Sequence, residues 1–198
     1  MTVTTTTTHP DEGVALLLEL LARLQSGVCG TLASLSAGAL AWQPDPQANG
    51  IGVTVWHFSR WLDVLAVRVL AAGPSDDELW FANGWAERSG YDPRGLGVGG
   101  LGVLTGYSLA EALAVPPLAA DELLTYLDEA VAALTTHLRS LTSDELRQPA
   151  RGLREPGGEP TSGREWVLDI LLGSLGHLGE IRAIKALQAR AATPAASA

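Results

Sequence analysis

The stretch SGREWVLDILLGSLGHLGEIRAIKALQARA, residues 162–191, decides the fold. Val167, Ile170, Ser174, His177, Ile181 and Ile184 recur every three or four positions, which places them on one face of a helix. The spacing predicts a long helix from about Ser162 to Ala191 with a histidine set into its inner stripe. Three more segments read the same way. The first runs from about Asp11 to Leu35, with Leu17, Leu20, Leu21, Leu24 and Val28 on one face. The second runs from about Val53 to Ala72, after a turn-rich stretch from Pro44 to Gly50 in which Pro and Gly block helix continuation. The third begins near Asp121, where two acids suit a helix N-terminus, and carries Leu123, Leu127, Val131, Leu134, Leu138 and Leu141. No segment alternates with a period of two, so an all-α fold without a sheet is expected.

The connections complete the reading. Two helix pairs need one long crossover if helices 2 and 3 run parallel, and Gly73 to Ala120 supplies it. Its Trp80, Phe81, Trp85, Tyr91 and Tyr107 are expected to pack on the bundle. Ser108 and Glu111 have capping-box spacing and predict a short helix ending at Pro116-Pro117. A faint internal repeat links Leu32–Pro44 to Leu138–Pro149: each stretch ends a helix and leads through a loop into another. Residues 11–190 read as a single domain, with residues 1–10 and 191–198 as disordered tails.

Composition narrows the function classes. The 198 residues carry 13 basic and 22 acidic side chains, a net charge of −9, with no run of basic residues. Phosphate backbones attract Lys/Arg surfaces, so no nucleic-acid partner is expected. Cys29 stands alone, which rules out an intrachain disulfide and reads as an inert thiol. Met1 to Thr8 lacks a basic region followed by an apolar one, so no signal peptide is read. Charge or Gly interrupts the apolar stretches before the ~18 residues that a span needs. No membrane partner and a cytoplasmic location are the expectation.

Two histidines carry the chemistry. His57 shares a stripe with Val53, Arg60, Val64 and Val67; His177 lies in the inner stripe of the last helix. Each alone reads as a core histidine bonded to a neighbour. Two at matching places read as a pair of metal ligands or as a general base. A further ligand would stand one turn earlier in the last helix, at i−4, and that residue is Gly173, which has no side chain. Glu180, at i+3, is the candidate additional ligand; its alternative is a solvated or ion-paired helix residue. Asp63 and Asp169 are weaker candidates. No catalytic residue is assigned. Arg60, Trp61, Tyr126 and Gly173 are expected at a pocket between bundle and crossover. Residues 97–102 match GxGxxG but lack the preceding strand that a phosphate-binding turn requires, so they read as a loop bordering that pocket.

Leu40-Ala41-Trp42-Gln43-Pro44, Asn49-Gly50-Ile51-Gly52 with His57, and His177-Leu178-Gly179-Glu180-Ile181 together resemble the DinB/YfiT-like superfamily of metal-dependent four-helix proteins. The segment from Trp80 to Glu87 and Tyr126-Leu127-Asp128 are similar to it as well. The likeness spans about Glu12 to Leu187. It implies a DinB-like four-helix bundle of up-down-down-up order, a homodimer, and a divalent metal (Zn, Ni, Mn or Fe) held by three histidines. It also implies activity as a hydrolase or thiol S-transferase on a small molecule. Gly173 departs from the family's last-helix pattern, His-x-x-x-His-x-Gly-Gln-Ile, and leaves His57 and His177 as an incomplete metal site. The alternatives are a metal-free small-molecule-binding or regulatory dimer on the same scaffold, and a partner-binding helical protein without pocket chemistry.

Overall fold

The computed structural model describes residues 11–153 and 160–192. Thr4–Thr8, His9 and most of the expected C-terminal tail lie outside the described residues. In chain order the helices are α1 (Glu12–Leu32), α2 (Ala37–Ala41), α3 (Ile51–Val64), α4 (Leu79–Ala82), α5 (Trp85–Ser89), α6 (Leu109–Leu113), α7 (Ala120–Arg139), α8 (Ser143–Leu146) and α9 (Gly163–Ala191). Among the described residues there is no strand, only one isolated bridge between Pro149 and Ser162. The four long helices α1, α3, α7 and α9 are those read from the apolar stripes.

Helix ends follow from local chemistry. Asp11 caps α1, its carboxylate accepting the Gly13 N–H at 3.0 Å. Ser162 and Glu165 form a reciprocal capping box at the start of α9. Ser108 and Glu111 do the same for α6, where the spacing predicts it. The faint repeat has a structural counterpart: Ser36 caps α2 after α1, Thr142 caps α8 after α7, and Leu40 and Leu146 are the buried residue of each short helix. α3 does not continue as a plain α-helix to Ala72. Residues Leu65–Leu70 form a π-helical turn, and the Ala71 N–H reaches back to the Ala66 carbonyl.

α1 and α3 each pack against both α7 and α9. Asp11 at the start of α1 accepts the Ser143 N–H at 2.8 Å, just past the end of α7. Lys185 near the end of α9 donates to the Thr31 carbonyl at 2.7 Å, near the end of α1. α1 therefore runs against α7 and alongside α9. Leu21, Leu24 and Val28 of α1, Leu123, Leu127 and Leu134 of α7, and Val167, Ile181 and Ile184 of α9 form the core. Leu20 and Leu141 stay half-buried at its rim. One expectation is corrected here: α1 is long and apolar enough to cross a membrane by length and composition. Two of its three charges, Glu19 and Arg23, pair on the exposed face, while its apolar stripe lies in the bundle core.

α3 differs from the other three. Eleven of its fourteen residues are buried, so it is covered all round rather than along one stripe. The crossover covers its outer side. Trp80 is fully buried and meets Trp56 of α3 edge-on at 5.7 Å and Tyr126 of α7 at 5.1 Å, with Trp85 stacked beside it at 6.3 Å. Its indole N–H donates to the Tyr91 carbonyl at 3.1 Å, so the polar end is satisfied. Truncating this anchor removes a large buried area with little chance of collapse. Trp80→Ala is expected to lower the unfolding free energy in urea by about 3–5 kcal/mol. Leu172→Ala, at a residue 64% exposed on α9, is expected to change it by about 0.5 kcal/mol or less.

Candidate functional site

His57 and His177 meet where α3 and α9 pack together. Their ring centroids lie 4.8 Å apart, with the planes at 84°. His57 is 8% exposed, and His177 is half-buried. The Nδ1 of His57 is bonded to the Val103 carbonyl of the crossover. The Nδ1 of His177 is bonded to Glu180 Oε2 at 2.7 Å. A carbonyl and a carboxylate both accept, so each ring donates from Nδ1. In a neutral ring the lone pair then sits on Nε2. Burial pushes the His57 imidazole down to about 4. The bond from His177 holds the Glu180 carboxyl below its ordinary value.

Both rings line a cleft of about 980 Å³ at one end of the bundle. Leu40, Val53, Leu104, Leu109, Leu113 and Val115 give it a largely apolar wall, and Gln43, Tyr107 and Glu122 add polar groups. α2 and the start of α3 form one side. Residues 104–119 of the crossover form the other. An apolar concavity with a few polar groups is the form of a small-molecule site.

The donor set does not fit a three-ligand metal centre. Among the described residues, no group of three or more His, Cys, Asp or Glu side chains is placed to hold a metal ion. Gly173 is exposed, and a Cβ built there would meet no atom within 4 Å. Glu180, the candidate additional ligand, is engaged on His177 Nδ1 and orients that ring. Asp63 is buried among other donors, and Asp169 is exposed.

Four residues expected at the pocket lie elsewhere. Gly173 and Trp61 are not among the lining residues; Trp61 is half-buried and donates its indole N–H to Thr105 Oγ1 at 3.2 Å. Arg60 and Tyr126 are completely buried beneath the crossover. Arg60 donates to Asp63 at 2.8 Å, to Glu78 at 2.5 Å and to the Gly102 carbonyl at 3.3 Å. The Tyr126 hydroxyl donates to Asp63 Oδ2 at 2.8 Å. The physical reason is charge: a guanidinium leaves water only where acids and carbonyls meet it, and these lie on the crossover side of α3. Sequence reasoning missed Glu78 and Val103. Asp63, at i+3 from Arg60, is the one local signal of this cluster.

The buried imidazole predicts a pH effect. His57 takes up a proton at about 4 in the folded chain against an ordinary 6.5, so the unfolded chain binds more protons between those values. Stability is therefore full above about 6.5 and lost as the pH falls toward about 4. Between pH 7.5 and pH 4.5 this group accounts for a loss of about 2–3 kcal/mol. Urea unfolding at the two pH values is expected to give a drop smaller by that amount in His57→Gln than in the unsubstituted chain. Equal drops would mean that His57 is not buried in neutral form.

The comparisons with known proteins agree with this architecture. The fold is similar to the crystal structure of a conserved protein from Enterococcus faecalis, with a TM-score of 0.71 and 20% identity over 87% of this chain and 95% of that one. No curated protein matches the sequence. Residues 6–181 match the family model of the DinB superfamily. With that match covering α1, α3, α7 and α9 as far as Ile181, the chain belongs to the DinB superfamily.

Proposed function

We propose that the chain is a small-molecule-binding member of the DinB superfamily that works without a three-ligand metal centre. The cleft takes a largely apolar organic molecule carrying a hydrogen-bond donor. One observation carries the reading: both imidazoles line an apolar cleft with their Nδ1 atoms already engaged, which leaves Nε2 of each as the unsatisfied acceptor. A donor group such as an amine or hydroxyl satisfies such acceptors, and the surrounding apolar wall gains from burying the rest of the molecule.

A second reading keeps a divalent metal, with water or an acid completing the shell of His57 and His177, and a hydrolase or thiol S-transferase activity. The observation in its favour is the same pair of Nδ1 bonds, because metal-bound imidazoles are usually oriented by a carbonyl or carboxylate at the other nitrogen. Against it stands the number of donors. Two imidazoles bind Zn²⁺ or Ni²⁺ more weakly than three.

The binding reading is tested by fluorescence titration with N-phenyl-1-naphthylamine, an apolar fluorophore with one N–H donor. Saturable binding at one site is expected. Val53→Trp, which fills the cleft from its half-buried wall, is expected to abolish it. His177→Ala removes one acceptor and is expected to weaken it about three- to tenfold. Failure to saturate, or undiminished binding by Val53→Trp, would overturn the reading.

A further inference from the structure

The crossover enters the cleft wall at Leu104 from an irregular, glycine-rich loop. Gly95, Gly97, Gly99, Gly100, Gly102 and Gly106 all have positive φ. At Gly102 the space forbids a side chain as well: a Cβ would lie 2.6 Å from the Pro93 carbonyl oxygen. Leu104 also has positive φ, at 72°, a conformation that costs an ordinary residue energy unless its surroundings impose it. The Leu104 side chain nevertheless lines the cleft. The loop is tied by its own backbone bonds, Val98 N–H to the Thr105 carbonyl at 2.8 Å, Tyr107 N–H to the Leu104 carbonyl at 2.9 Å and Gly102 N–H to the Leu96 carbonyl at 3.1 Å, and it has further support from outside.

That support comes from α3. The carbonyls of Leu101, Gly102 and Val103 are consecutive, and all three accept bonds from α3 side chains. Arg60 donates to Leu101 at 3.4 Å and to Gly102 at 3.3 Å, and His57 donates to Val103. Trp61 adds Thr105 from the next turn of the loop. Arg60 itself has no freedom, because Asp63 and Glu78 fix its two other edges and Tyr126 closes the remaining side. Arg68 then pairs with the second oxygen of Glu78.

We propose that Arg60 is a positioning residue of the cleft: by holding the 101–102 carbonyls it sets the Val103 carbonyl against His57 Nδ1 and the Leu104 side chain in the cleft wall. The inference rests on the reading of that cleft as a binding site, and deepens it. Arg60 touches no bound molecule. It acts through the loop, on which ring nitrogen of His57 carries the proton. A neutral imidazole loses its preference for Nδ1–H when the acceptor facing Nδ1 moves away.

The test is the nitrogen chemical shifts of the His57 ring in the full chain, labelled with ¹⁵N, at pH 7.5. The unsubstituted protein is expected to show the Nδ1–H tautomer. Arg60→Lys keeps one charge but cannot reach two acids and two carbonyls together, and is expected to shift His57 toward Nε2–H. Its affinity for N-phenyl-1-naphthylamine is expected to fall by about threefold or more. Leu138→Ala, a core truncation near the far end of α7, lowers stability without touching the loop and is expected to leave the tautomer unchanged. Glu78→Gln removes a charge that holds Arg60 and serves as the second variant should Arg60→Lys not fold. A folded Arg60→Lys or Glu78→Gln with His57 still as Nδ1–H overturns the proposal, and so does an equal shift in Leu138→Ala. The nitrogen signature is read with no added molecule, so its failure is distinct from failure of the binding reading.

Discussion

The buried guanidinium of Arg60 is the interaction on which the placement of the crossover, and with it the shape of the cleft, depends. Four helices with apolar stripes form a bundle without it. The crossover from Gly73 to Ala119 is another matter, since most of it is irregular chain. Arg60 draws two separate parts of that chain onto α3: the 101–102 carbonyls, and the segment of residues 78–80, through Glu78 directly and through Asp63 by the N–H groups of Leu79 and Trp80. Such a cluster adds little net stability compared with apolar packing, but removing one member leaves its partners charged and dry. Its contribution is to specify one arrangement of the crossover, and hence one shape for the cleft.

Much of the bundle was legible because its signals are local. The stripes at three- and four-residue spacing gave four helices, Ser108–Glu111 gave a capped short helix, and the aromatic residues of the crossover gave a segment that packs rather than dangles. His57 and His177 meet because both lie in inner stripes of helices that pack together. What was not legible depends on partners distant in sequence. Arg60 looked like a pocket residue because nothing near it announces Glu78, eighteen positions on. Tyr126 was misplaced for the same reason, its partner Asp63 being on another helix. Glu180 lies within reach of His177 by spacing alone, yet spacing cannot tell a ligand from the group that orients one.

The site chemistry follows from counting donors. An imidazole pair with both Nδ1 atoms engaged offers two acceptors to a visitor. It becomes a firm metal centre only with a further protein ligand, and the turn that would present one carries Gly173. Glu180 is spent on His177. Much of the remaining lining is apolar, with Gln43, Tyr107 and Glu122 among it, so on the proposed reading the free energy available to a ligand comes chiefly from burying carbon surface, with the two nitrogens selecting for a donor. Membership of the superfamily fixes the scaffold. The contents of the cleft are set by the side chains this chain places there.

The most direct measurement is the metal content of the untagged protein, purified without chelator and read by plasma mass spectrometry beside His57→Ala. The account predicts well under one equivalent of Zn, Ni, Mn or Fe in both, with no rise in melting temperature on adding any of them. A near-stoichiometric metal in the unsubstituted protein that disappears in His57→Ala would contradict it.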